Sequence, residues 1–363
     1  MQRCVASVLS LLCLTVSLAC QAAPEIQLLS ASAGQHLELG SGAGQLPWFS
    51  AGSALEQDVS RALIVIHGYP RDLGRSLSAG VAAVNAAELS STTVVIAPLF
   101  PVAAPAAARC SSPDTQPAAA DDALWTCSSW IEGGLAEGGK QGAFDAMDRL
   151  LADLPRRWPM LRQITLAGFS AGAQFVQHYI GFAHQPAGIA LRYVVADPGS
   201  WLYLDDKRPV PVRDGQAVGW QDCTAVSGPG ACEYTWMTPA ACPAALRWKY
   251  GLHGLPENLA GTPDEIRARH ALADVAYLEG EHDTGAGRGS HYRILDKSCG
   301  AQTQGPYRLQ RGLAFIAHER AFLHPAMPRP FAIVPGCAHD VACVLPSPAA
   351  RTLLFPAEAS SAR

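Results

Sequence analysis

The stretch Gln163–Phe182, QITLAGFSAGAQFVQHYIGF, decides how the rest of the chain is read. Ile164-Thr165-Leu166-Ala167 is a short apolar run with β-branched residues, as in a buried strand. Gly168-Phe169-Ser170-Ala171-Gly172 follows as a sharp turn. Beyond it the apolar residues fall at Ala171, Phe175, Tyr179 and Phe182, a spacing that suits a helix packed on a sheet. Strand, G-x-S-x-G, helix is the pattern of a nucleophile elbow. The serine needs a strained turn that lifts its hydroxyl above the sheet, and the glycines remove Cβ atoms that would strike neighbouring backbone. The helix start offers the Ala171 N–H to a developing oxyanion. A structural turn of small residues is the competing reading, and the strand and helix on either side disfavour it.

A serine hydroxyl is a poor nucleophile without a base, and the base must be oriented by an acid. Ala62–Ile66 is a continuous apolar strand that runs into His67-Gly68-Tyr69-Pro70, which places the Tyr69 amide as a second oxyanion donor. Further strands are expected at Thr93–Ala97, Arg192–Ala196, Asp274–Leu278 and Phe331–Val334, with helices at Arg75–Leu89, Phe144–Leu154 and Pro306–Phe322. Pro155 is expected to end the second helix, and Asp145, Asp148, Arg149 and Asp153 on its other face to be solvated. Alternating strands and helices predict an α/β, doubly wound, mostly parallel sheet, and catalytic groups gather at the carboxyl ends of its strands. His339 follows the last strand and is the natural base; Asp283 follows the penultimate strand and is the natural acid. Asp197 also follows a strand and competes for the acid's role. His291, His318 and His324 hold no such position and read as surface or core.

Residues 24–60 hint at strands near Ile26–Leu29 and Leu37–Leu39, an antiparallel edge of the sheet. Residues 99–123 read as a surface loop. Residues 198–270 break into turns rich in proline, cysteine and tryptophan, an insertion after the sixth strand. A cap over the active site and a stapled surface decoration are its two readings. Residues 24–356 otherwise read as one domain.

At the N-terminus, Met1-Gln2-Arg3 precedes an apolar run to Ala19 and then Cys20-Gln21-Ala22-Ala23. This is the pattern of a signal peptide over 1–22, which predicts a periplasmic or secreted protein; lipid anchoring through Cys20 is the alternative. Removing it leaves eight of eleven cysteines, an even number bound for an oxidising compartment. Local pairing suggests disulfides Cys110–Cys127, Cys223–Cys232, Cys242–Cys299 and Cys337–Cys343, out of 105 connectivities. The last would close a small loop around His339. The cysteine spacings do not match a zinc site, H-E-x-x-H is absent, and no cofactor is implied. A net charge of −4 and a pI near 6.2, without blocks of like charge, give no case for nucleic acid. A hydrophobic share of 49% against 16% charged excludes a disordered chain. No stretch is long enough for a confident membrane span.

The segments IVIHGYPRD at 64–72, FDAMDRLLADLP at 144–155, LAGFSAGAQFVQHY at 166–179, YVVADPGSWLYLD at 193–205, YLEGEHDTG at 277–285 and IVPGCAHD at 333–340 resemble the α/β-hydrolase superfamily. More narrowly, they resemble a group of exported, poorly characterised microbial serine hydrolases. The resemblance implies Ser170, Asp283 and His339 as the triad. The chain departs at Asp197-Pro198-Gly199-Ser200-Trp201, where Asn-Pro-Ser-Ser-Tyr would be expected, which strengthens Asp197 as a rival. The expected function is an exported serine hydrolase, a carboxylic ester hydrolase working through an acyl-enzyme on a small-molecule or polymeric ester. A serine peptidase or amidase, and a non-catalytic binding protein on the same scaffold, are the alternatives.

Overall fold

The structure is a computed structural model and describes residues 34–356 apart from positions 53, 114 and 226. The expected signal peptide, the strand hint at Ile26–Leu29 and the end of the tail lie outside the described residues. Eleven strands occur among the described residues, in chain order: β1 (Gln35–Glu38), β2 (Gln45–Ala51), β3 (Arg61–Ile66), β4 (Thr93–Pro98), β5 (Gln163–Phe169), β6 (Ala190–Ala196), β7 (Arg208–Arg213), β8 (Gln216–Ala217), β9 (Glu233–Met237), β10 (Asp274–Gly280) and β11 (Phe331–Val334). The helices are α1 (Leu73–Ala86), α2 (Ala104–Ala107), α3 (Ala143–Arg157), α4 (Ala171–Tyr179), α5 (Pro263–Leu272), α6 (Cys299–Gln302), α7 (Arg308–His318), α8 (Val341–Val344) and α9 (Pro348–Leu354).

Eight strands form one sheet in the order β1-β2-β4-β3-β5-β6-β10-β11. From β4 to β11 all neighbours are parallel; β1 and β2 add an antiparallel edge. Both faces are covered, so the inner strands are apolar on both sides, and alternate residues divide between two cores. Ala62, Ile64 and Ile66 of β3 join Leu150, Phe175 and Phe315 on one face. Leu63 and Val65 join Ala167, Val194, Val344 and Leu354 on the other. Helix α9 is tied to that second face from below. Thr165 Oγ1 of β5 donates to the Leu354 carbonyl at 2.9 Å, and Arg192 Nη1 of β6 to that of Leu353 at 3.1 Å.

Three expectations need correction. Helix α3 does not stop at Pro155 but runs to Arg157. The proline sits in the last turn, where it forfeits one hydrogen bond, and buried Leu154 and Trp158 on either side hold the turn in place. Asp148, expected to be solvated, accepts from the Tyr179 hydroxyl and from the His184 N–H and Nδ1 at 2.9 and 2.7 Å. The stretch 99–123 is not all surface, because Leu99, Phe100, Val102 and Ala123 are buried. Phe100 stacks on Trp130 at 5.3 Å and thereby pulls its loop into the core.

The excursion after β6 is more ordered than a run of turns. Strands β8, β7 and β9 make a small antiparallel sheet. Trp236 of β9 packs edge-on to His318 at the end of α7 and to Phe322 beyond it. Cys223 is bonded to Cys232, and Cys242 to Cys299 at the start of α6. Arg208 is buried and donates to the carbonyls of Asp205, Lys207, Ala245 and Tyr250. A buried guanidinium with four carbonyl acceptors organises a segment that lacks regular structure. No helix of the described residues is long and apolar enough to cross a membrane.

Candidate active site

The elbow is built by close backbone approach. A Cβ at Gly168 would collide with the Gly172 carbonyl, and one at Gly172 with the Ile66 carbonyl of β3. Glycine at both places lets β5, the turn and α4 meet. Ser170 at the apex has φ 59° and ψ −117°, a strained backbone that only the surrounding structure can hold. Its Oγ donates to His339 Nε2 at 2.8 Å, and His339 Nδ1 donates to Asp283 Oδ2 at 2.7 Å. The structure therefore brings Ser170, His339 and Asp283 together in one hydrogen-bonded chain, from the ends of β5, β11 and β10.

Burial, then the charge of Arg308, pushes the His339 imidazole down to about 4, so the ring is neutral across the physiological range. Asp283 is held below the usual carboxylate range: His339 and Arg308 outweigh the opposing effect of its burial. Arg308, at the start of α7, donates to Asp283 Oδ1 at 3.1 Å and to the Ser290 carbonyl at 2.7 Å. Phe169 lies against the His339 ring at 4.6 Å, and the His339 N–H donates to the Gly289 carbonyl at 3.2 Å. Cys337 and Cys343 are bonded, closing a loop around His339, and Cys110 is bonded to Cys127.

Neither the Tyr69 nor the Ala171 N–H donates to an acceptor among the described residues. His67 is structural. Its Nδ1 donates to the Gly68 carbonyl at 2.9 Å and its Nε2 accepts from the Phe100 N–H at 3.3 Å, which fixes one neutral tautomer. Burial pushes it down to about 4.

Asp197 does not touch His339 as Asp283 does. It is fully buried at φ 51°, and its Oδ1 accepts from the Gly280 N–H at 2.7 Å. Ligating atoms of Asp197, Asp283 and His339 all lie within 4.8 Å of one another, a compact group among the described residues. Two of those side chains already hydrogen-bond each other.

A cavity of about 290 Å³ opens over Ser170 and His339. Pro70, Phe169, Ile294 and Val341 give it apolar walls, while His291 and the Arg75–Asp340 ion pair (2.7 Å) make its rim polar. No described residue of the excursion 198–270 lines it. His291 stands with its ring 5.8 Å from that of His339, on backbone at φ 48°. Nothing in the sequence distinguished His291 or Arg308, since neither follows a strand.

No protein-family model matches the chain, and no curated protein matches it significantly. Solved structures do. Poly(aspartic acid) hydrolase-1 from Sphingomonas sp. KT-1 superposes with a TM-score of 0.57 at 16% identity, over 89% of this chain and 97% of that one. LpqC, a poly(3-hydroxybutyrate) depolymerase from Bordetella parapertussis, does so with a TM-score of 0.51 at 19% identity, over 83% and 80%. With its strand order, its elbow between β5 and α4, and these neighbours, the chain has the α/β-hydrolase fold.

Proposed function

We propose that the protein is a serine hydrolase, and specifically a carboxylic ester hydrolase that works through an acyl-enzyme. The observation that carries this reading is the continuous chain from Ser170 Oγ through His339 to Asp283. In the proposed cycle Ser170 Oγ attacks the ester carbonyl carbon as its proton passes to His339 Nε2. Asp283 steadies the imidazolium, and the Tyr69 and Ala171 N–H groups take the oxyanion. The carbonyl re-forms, the C–O bond to the alcohol breaks, and the alcohol leaves with the proton from His339. Water, deprotonated by the same imidazole, then releases the acid and restores the serine.

The cavity is small for a ligand site, which favours a short acyl group over a long chain. Its apolar walls suit such a group, and a polymeric substrate would enter by one unit. The neighbours' names fit that choice, one being a hydrolase of poly(aspartic acid) and the other a depolymerase of poly(3-hydroxybutyrate). The four disulfides suit a protein exported to an oxidising compartment.

The test is covalent labelling of the purified protein with a fluorophosphonate, followed by peptide mapping, beside Ser170→Ala and heat-denatured controls. Label on Ser170, lost in both controls, is expected, with an ester panel graded by acyl length then falling off as chains lengthen. A folded sample that takes no label would turn the reading toward a non-catalytic binding protein.

A further inference from the structure

His291 lines the cavity over Ser170 and His339 without a part in the triad. His339 donates from Nδ1 to Asp283 and accepts from Ser170 on Nε2, so both of its nitrogens are engaged. The two imidazoles nevertheless stand 5.8 Å apart, with their planes at 64°. His291 is exposed at the cavity mouth, and none of the described residues hydrogen-bonds its ring nitrogens. The other polar groups of the rim are matched to each other. Arg75 Nη2 donates to Asp340 Oδ1 at 2.7 Å, and the Ala342 N–H donates to the same oxygen at 2.9 Å.

The backbone fixes where the His291 imidazole stands. Its carbonyl accepts from the Ile294 N–H at 3.1 Å, closing a turn whose first and last residues both line the cavity. Just upstream, the chain is bound to the triad itself. The His339 N–H donates to the Gly289 carbonyl at 3.2 Å, and Arg308 donates both to Asp283 Oδ1 and to the Ser290 carbonyl. His291 has φ 48° and ψ 32°, in the left-handed region where glycine is the unstrained choice, as at Gly289 with φ 88°. A side chain is kept where the backbone favours none.

The part of the substrate that meets His291 follows from the acylation step. When the C–O bond to the alcohol breaks, the alcohol oxygen takes the proton from His339 Nε2, so it must lie within hydrogen-bond reach of that nitrogen. The alcohol's carbons then run past the His339 ring, into the part of the cavity that His291 borders. An imidazole carries at least one N–H in either protonation state, which suits an acceptor on the substrate. Ile294, at the other end of the turn, supplies an apolar surface for the carbons. We infer that His291 is a specificity-determining residue that donates a hydrogen bond to an oxygen on the alcohol half of the ester. The class this selects is a short-acyl ester of an oxygen-bearing alcohol, a polyol or a hydroxy acid, over a plain alkyl ester. The inference rests on the serine-hydrolase reading and adds the alcohol half of its substrate.

The test uses two nearly isosteric substrates, methoxyethyl acetate and n-butyl acetate, which differ by an ether oxygen in place of one methylene of the alcohol. Acetate release by the full chain gives the ratio of their kcat/KM values, a difference in transition-state binding. His291→Gly removes the imidazole on a backbone that suits glycine. It should lower the ratio, methoxyethyl over butyl, by about tenfold, the loss of one net hydrogen bond. His291→Gln supplies an N–H again and should recover most of the ratio. A loss shared equally by both esters leaves the ratio unchanged; His291 is then structural and the proposal falls. Should the glycine variant fail to fold, His291→Phe keeps a ring without an N–H and must show the same drop. Glycerol monoacetate and methyl acetoxyacetate, run beside them, tell a polyol from a hydroxy acid. At least one of the two must lose rate relative to n-butyl acetate when the imidazole is removed, and if neither does, the proposal falls as well. A wild type that takes no fluorophosphonate label and hydrolyses no ester defeats the hydrolase reading and this proposal with it. Turnover with a ratio indifferent to residue 291 defeats the proposal alone.

Discussion

The elbow and the excursion 198–270 hold their backbones still by different means. At the elbow the restraint is steric and local: Gly168 and Gly172 allow contacts that any side chain would forbid, and Ser170 is strained between them. In the excursion the restraint comes from distant partners. Cys242 reaches Cys299 across 57 residues, and Arg208 gathers four carbonyls. The first kind of restraint sets geometry to fractions of an ångström. The second limits how far a segment can wander and says little about the nucleophile. Damage to the elbow should therefore cost stability and chemistry together, whereas damage to the excursion should cost stability alone.

The largest effect is expected from Gly172→Val. Its side chain would have to displace the Ile66 and His67 carbonyls of the neighbouring strand end. A loss of at least about 3 kcal/mol is expected, with Ser170 labelling abolished in whatever folds, as read by denaturant melts and mapped label. Labelling at the wild-type rate would break the comparison. Next comes Cys242→Ser with Cys299→Ser, which should cost about 4 kcal/mol from the freed unfolded chain. The labelling rate of the folded fraction should not change, because no excursion residue lines the cavity. A slowed rate there would give the excursion a part in the site. The smallest effect sharpens the contrast by pH. An imidazole titrating at 6.5 would be only about one-tenth free base at pH 5.5. His339, pushed down to about 4 chiefly by burial, should stay neutral there and keep most of its labelling rate. The double-cysteine variant should show the same acid limb.

Legibility in the sequence follows the same division. Strands β3, β4, β5, β6 and β10 announce themselves as continuous apolar runs because helices cover both faces of the sheet. Ser170 and Asp283 were readable because each follows such a run, and His339 because it follows the shorter run of β11. Strand β2 was hidden by Pro47, and β7 by Pro209 and Pro211, which give up N–H groups that ladders normally need. Arg308 reaches Asp283 from the first turn of a helix, a placement decided by how α7 packs and not by any local pattern. Glu279 is the plainest surprise. A glutamate in a strand that ends in polar loop residues suggests exposure, and only the packing of α7 over β10 shows it sealed in.

The attachment of α9 beneath β5 bears on the order in which the molecule is completed. Thr165 and the Leu354 carbonyl are 189 positions apart, so the strand that ends in the elbow is finished by residues made long after it. Until Pro348–Leu354 emerges, Val65, Ala167 and Val194 lack part of the cover on their side of the sheet. Domains that depend on such distant pairing fold slowly and expose apolar surface while they wait. The serine is synthesised well before the floor that supports it.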